Sequence, residues 1–138
     1  MKTYIIDTNA LLSFVTDRNP DQQATVSTIF SQAARLDCRI ICHFHVITEF
    51  VYVLDKVYGH AKSSIRQIIA DFVIMPGIEL EHEIDLSILL DFWPESVSDF
   101  GDGVVASVWA KHREASVATF DKRFIKELKQ IGATVAFV

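Results

Sequence analysis

The chain has 138 residues, 50% of them hydrophobic and 22% charged, with two cysteines and a formal net charge of −5. That length bounds a single domain over residues 1–138. Scaling relations give about 7,200 Å² exposed when folded against about 22,600 Å² extended, so roughly two-thirds of the surface can be buried. The composition excludes a disordered chain and a disulfide scaffold, and the acidic balance argues against a general polyanion binder.

Residues 4–6 form a short β-rich run closed by Asp7, and 8–15 read as a helix. A polar loop spans 17–21, within which Asn19 caps and Pro20 opens a helix to about Leu36. Residues 39–42 read as a second strand. Val46, Phe50, Val53, Leu54 and Val57 recur at helical spacing, giving a helix over 46–57 that Gly59 stops. Another helix covers 61–74 and ends at Pro76-Gly77. A weak strand at 78–80 precedes a helix around 84–92 and a break at 93–96. A helix over 103–112, a strand at 116–119, a helix over 122–130 and a strand at 134–137 complete the chain.

Strands separated by helices require crossover connections, which implies a largely parallel sheet covered on both faces. The expected fold is α/β, a single α/β/α sandwich. No apolar run approaches the ~20 residues of a membrane helix, and the run after Met1-Lys2 is stopped by Asp7 before it could form a signal core. Free thiols suit a reducing compartment, so the expectation is a soluble, cytoplasmic protein.

Charge is unevenly spread. Between Gln67 and Ala110 there are nine acids and no lysine or arginine, whereas six basic residues fall between Lys111 and Lys129. In open parallel sheets, ligands bind beyond the carboxyl ends of the strands. Asp7 follows the first strand and Asp121 follows the strand at 116–119, so both belong on that rim. Asp121 alone reads as a helix N-cap, and Asp7 reads equally as a cap or a ligand. Glu49 lies among His45, Val46, Tyr52 and Val53, an apolar setting that calls either for a positive partner or for escape to solvent. Asp99 and Asp102 share the first turn of a helix, where acids also suit the dipole. Together these acids make a convergent cluster that a Mg²⁺ or Mn²⁺ ion, which takes oxygen ligands, would neutralise.

Four segments then resemble one family along nearly the whole chain. They are Ile5-Ile6-Asp7-Thr8-Asn9-Ala10-Leu11-Leu12, Thr48-Glu49-Phe50-Val51-Tyr52-Val53-Leu54, Asp99-Phe100-Gly101-Asp102-Gly103-Val104-Val105-Ala106 and Thr119-Phe120-Asp121-Lys122-Arg123-Phe124. In this order the chain resembles the PIN domain family, especially the VapC-like toxins. The resemblance implies a metal-dependent ribonuclease with Asp7, Glu49, Asp102 and Asp121 as an acidic quartet and Asp99 as a further candidate ligand. It implies that Thr8, Asn9 and Thr119 orient carboxylates or water. It further implies 5′-phosphate and 3′-hydroxyl products, inhibition by a cognate antitoxin, and a homodimer. Gly103 departs from the family's usual small residue such as alanine. Two bound divalent ions would offset most of the negative charge, leaving RNA affinity to a local basic patch. Lys122, Arg123 and Lys126 beside Asp121 are the candidates, each of which also reads as part of a solvated helix face.

Cys38, Cys42, His43 and His45 are of zinc-ligand type. Cys38 and Cys42 flank a strand, however, about 13 Å apart at ~3.3 Å per residue, too far for one ion. The cysteines are expected in the core and the histidines in a loop or cap, with His45 one turn from Glu49. Phe72, Trp93 and Trp109 are expected in the core or at a subunit contact. Three functions fit this pattern. The first is a metal-dependent endoribonuclease of a toxin–antitoxin pair. The second is an aspartyl-phosphate phosphotransferase or phosphatase, which also places an aspartate after its first strand but wants a nearby lysine. The third is a degenerate module that only binds RNA or protein.

Overall fold

The computed structural model describes residues 1–137 and arranges them as strands alternating with helices. The opening apolar run becomes β1 (Lys2–Ile6), buried at every position after Lys2. Asp7 leaves it in extended conformation and starts α1 (Thr8–Val15). Asn19 accepts the Gln22 N–H and Pro20 opens α2 (Pro20–Ala34). The chain continues through β2 (Cys38–His43), α3 (Phe44–Lys56), α4 (Lys62–Val73), β3 (Ile78–Glu81) and α5 (Leu86–Phe92). It ends with α6 (Phe100–Lys111), β4 (Ser116–Ala118), α7 (Lys122–Gln130) and β5 (Thr134–Val135).

The five strands form one parallel sheet in the order β3-β2-β1-β4-β5. With helices on its two faces, this is the α/β/α sandwich expected from the sequence. β1 is central, pairing Ile5 with both Ile41 of β2 and Val117 of β4. From β1 the order runs outward to β2 and β3 on one side and to β4 and β5 on the other. The switch point therefore falls between β1 and β4, where a crevice opens beyond the strand ends. Ile5, Ile6, Ile40, Phe50, Leu54, Phe124 and Leu128 are fully buried and bind the layers together. Each contributes about 1.5–3 kcal/mol relative to exposure. The cysteines lie buried and free in this core, as do Phe72 and Trp109.

Several boundaries differ from those expected, each for a local reason. α3 begins at Phe44, because the His43 side chain accepts the His45 N–H at 2.9 Å and caps the helix. His45 thus belongs to the first turn of the helix, not to a loop. α5 begins at Leu86 behind the cap Asp85. α6 begins at Phe100, ahead of the glycine that read as its start, because Asp99 is its cap. Gly101 and Gly103 sit inside that helix for lack of room. A Cβ on Gly101 would stand 2.6 Å from Glu49 Oε2, and one on Gly103 3.3 Å from Trp93 Cβ. α2 stops at Ala34, and Leu36 turns the chain with a φ of 60°. β5 is short, since only Thr134 and Val135 pair with β4.

Candidate active site

The switch point carries the acids. Asp7 ends β1, and its N–H donates to the Ala118 carbonyl of β4 at 3.3 Å, locking the two strand ends together. Its Oδ1 accepts the Ala10 N–H at 2.8 Å, capping α1. Past β4, the Thr119 hydroxyl accepts the Asp121 N–H at 3.1 Å, and Asp121 Oδ1 accepts the Phe124 N–H at 3.2 Å, capping α7. Asp99 Oδ1 accepts the Asp102 N–H at 3.0 Å, capping α6. Three of the five acids are therefore helix N-caps, and the helix starts they cap point toward one place. Each cap leaves its second carboxylate oxygen outside the capping bond.

Asp7, Glu49, Asp99, Asp102 and Asp121 line a single cleft of about 240 Å³, together with Thr8, Asn9 and Gly101. Thr8 Oγ1 donates to Glu49 Oε1 at 2.8 Å and so orients that carboxylate. Asn9 Oδ1 accepts the Phe120 N–H at 3.2 Å and positions the loop leading to Asp121. Glu49 is less enclosed than its apolar neighbours suggested, at 41% side-chain exposure. Opposite it stands His45 Nε2 at 3.5 Å, a buried ring nitrogen with no hydrogen-bond partner. Glu49 is thus met by a hydroxyl donor and an imidazole edge, and solvent supplies the rest of its relief.

The electrostatics follow from burial. Asp7 is 4% exposed, and desolvation pushes its carboxyl up to about 7. Hydrogen bonds from Thr119 and Ala10 oppose that shift, while the Asp121 and Glu49 charges add to it. Asp102, with 17% side-chain exposure, rises to about 8, first by desolvation and then through Asp99, Asp7 and Asp121. Arg123 Nη2, 4.0 Å from Asp102 Oδ2, only partly offsets this. Buried like charges with so little positive counterweight favour either protons or a bound cation.

Oxygen donors of this kind suit a hard divalent ion. Among the described residues, no three acids, imidazoles or thiolates are already gathered as a ligand set. The caps explain this, because one oxygen each of Asp7, Asp99 and Asp121 is turned toward its own helix. The donor chemistry fits the ion.

Of the basic residues singled out in the sequence, the structure brings Arg123 to within 4.0 Å of Asp102, at the margin of the cleft whose lining it does not join. Lys122 and Lys126 stand on the exposed face of α7 and do not line it. No lysine lines the cleft among the described residues. Sequence reasoning missed Arg18, which lines the cleft from the loop before α2, and Gly101, whose missing side chain leaves room for Glu49. A polar Ser13 inside the apolar α1 was the available hint for Arg18, since Ser13 holds its guanidinium.

A family model described as the PIN domain matches residues 4–128. A comparison with curated protein sequences gives no match. Among solved structures the chain is similar to Mycobacterium tuberculosis VapC20, described as a sarcin-ricin loop cleaving toxin. The two share a TM-score of 0.69 at 16% identity, over 96% of this chain and 98% of that one. At that identity the likeness carries the shared fold and no more.

Proposed function

The chain belongs to the PIN domain family, and on that premise we propose that it is a Mg²⁺- or Mn²⁺-dependent endoribonuclease that hydrolyses RNA phosphodiester bonds. The observation that carries this reading is the convergence of five carboxylates on one cleft at the switch point, where Arg18 is the one cation in the lining among the described residues and Arg123 stands 4.0 Å from Asp102. Asp7, Glu49, Asp102 and Asp121 would hold the ion, with Asp99 as a further ligand. A bound divalent ion supplies Lewis acidity for the attacking water and for the leaving oxygen.

The chain's own residues provide the rest. Thr8 holds Glu49 in place, and Thr119 and Asn9 fix the backbone that carries Asp121. Burial favours the protonated forms of Asp7 and Asp102 when no cation is present, and ion binding would favour release of those protons. Lys122, Arg123 and Lys126 lie along α7 beside Asp121 and would meet the RNA backbone. The aspartyl-phosphate alternative is disfavoured by the absence of lysine from the cleft lining.

We assign the chain as the toxin of a toxin–antitoxin pair, working in the cytoplasm with an RNA substrate, a cognate antitoxin and a second copy as partners. The fold shared with a toxin is consistent with this assignment, and an apolar groove of about 500 Å³ between α3 and α4, lined by Val51, Ile65 and Ile69, offers a surface for a protein partner. Among the described residues, no helix is long and apolar enough to cross a membrane. The deciding experiment incubates the purified chain with single-stranded and structured RNA. Cleavage is expected with Mg²⁺ or Mn²⁺ and none in EDTA, and undiminished cleavage in EDTA would overturn the reading.

A further inference from the structure

Arg18 borders five carboxylates and pairs with none of them. It lines the acidic cleft, yet its guanidinium is anchored on neutral groups. Nε and Nη2 donate to Ser13 Oγ at 3.1 and 2.9 Å, and Nη2 also donates to the Asn9 carbonyl at 2.7 Å. Ser13 is itself fully buried and donates to Gln22 Oε1 at 2.8 Å, so the anchor is fixed in turn. The result is a held guanidinium whose charge is left for an external anion. Phosphate is the anion that guanidinium geometry suits.

The same arginine walls a second, adjoining cleft of about 400 Å³ shared with Gln23, Tyr58 and His60. Gln23 Nε2 donates to the Phe14 and Thr16 carbonyls at 3.1 and 3.3 Å, which steadies that wall. Tyr58 is 39% exposed and meets His60 edge on, with ring centroids 6.3 Å apart. Gly59, at a φ of +68°, makes the turn that carries both rings past the end of α3. Asp17 also lines this cleft, so recognition within it falls to the rings.

We propose that Arg18 and the Tyr58–His60 cleft form a subsite for single-stranded RNA. Arg18 contacts the phosphodiester next to the one cleaved, and Tyr58 stacks on the adjoining unpaired base. The assignment rests on the ribonuclease reading above. A single strand is the matching form, because an unstacked base offers its face to an aromatic ring whereas a duplex base does not.

The test is fluorescence anisotropy of a labelled single-stranded oligoribonucleotide over a salt series in EDTA, with the full chain and its variants. Arg18→Gln should weaken binding about tenfold and lower the log–log salt slope by about 0.7, the value for one phosphate contact on a single strand. Arg18→Lys should keep the slope. Tyr58→Ala should weaken binding about tenfold with no change of slope, and Tyr58→Phe should bind like the unaltered chain. A duplex of the same sequence should show no Tyr58 effect. Both side chains are exposed, so the variants should remain folded, which thermal melts check. An unchanged slope in Arg18→Gln, or unchanged affinity in Tyr58→Ala, overturns the subsite and leaves the ribonuclease reading standing. If the unaltered chain binds no RNA in EDTA or with Mg²⁺, both fall together.

Discussion

Two acidic regions share one rim of the sheet, because all five strands run the same way. One lies at the ends of β1 and β4, and the other runs from Glu79 within β3 to Asp85 past its end, at the sheet edge. By composition the edge region looks the stronger candidate, with Glu79, Glu81, Glu83 and Asp85 crowded into one short segment. Its acids are half-buried or exposed, and cations stand among them. Arg39 Nη1 lies 3.0 Å from Glu79 Oε2, and Lys111 lines the surface beside Glu83 and Asp85. In the central region the acids come from four separate parts of the chain, and two of them are driven to about 7 and about 8. Burial without countercharge, not the number of acids, marks a place where an ion would be stabilising.

The sharpest way to break this comparison is to neutralise one acid in each region. Asp7→Asn should reduce RNA cleavage by at least about a hundredfold, since even outer partners of a metal site cost 10–100-fold. Glu83→Gln should leave the rate within about twofold. Equal losses would dissolve the distinction. Steady-state cleavage of one RNA substrate by the three proteins decides it.

The next effect is stabilisation by the ion. At a hundredfold its dissociation constant, Mg²⁺ should raise the unfolding free energy by about 2.7 kcal/mol, or about 8 °C in melting temperature. Glu83→Gln should show the same increment, and Asp102→Asn a much smaller one. Melts with EDTA and with Mg²⁺ measure it, and an undiminished increment in Asp102→Asn would place the ion elsewhere.

A smaller effect comes from protons. Asp7 and Asp102 bind them more tightly in the folded chain than in the unfolded one. From the unfolded value near 4 up to about 7 and about 8, each rise in pH therefore removes stability. The metal-free chain should melt several degrees higher at pH 6 than at pH 8.5. Asp102→Asn should flatten that dependence and be as stable or more stable at pH 8.5. Because Asp99 and not Asp102 caps α6, the substitution removes a charge without removing a cap. A mutant that keeps the full pH dependence would contradict this account.

The smallest expected effect is on α7. Arg123→Ala should lower the salt slope of RNA binding by about 0.7 and weaken affinity a few-fold. Lys122→Ala and Lys126→Ala, farther from the cleft, should change affinity less. A salt titration of each variant resolves the order.

Much of this architecture is written in local chemistry that a reader of the sequence can follow. Asn19-Pro20 starts α2 where a cap and a proline say it should, and the spacing of Val46, Phe50 and Leu54 gives the buried face of α3, whereas Val57 lies exposed at its C-cap. The α/β/α layering follows from the alternation of strands and helices. What resisted reading depended on distant neighbours. Gly101 looks like a helix breaker until Glu49 is seen 2.6 Å from where its Cβ would be. Arg18 looks like an ordinary loop residue until Ser13 and Asn9 are seen to hold it. The caps at Asp7, Asp99 and Asp121 were readable one by one as local features. Their convergence is a property of the parallel sheet, which sends every strand end to the same rim.

The bond between Asn9 and Phe120 joins residues 111 positions apart and ties the first strand end to the last part of the cleft. During synthesis, β1 emerges first but waits for β4 before its second neighbour exists. Until Asp121 has left the ribosome, a nascent chain holds Asp7 without its opposing wall. A cleft built this way stays unassembled during synthesis until the segment that carries Asn9's partner and Asp121 has been made.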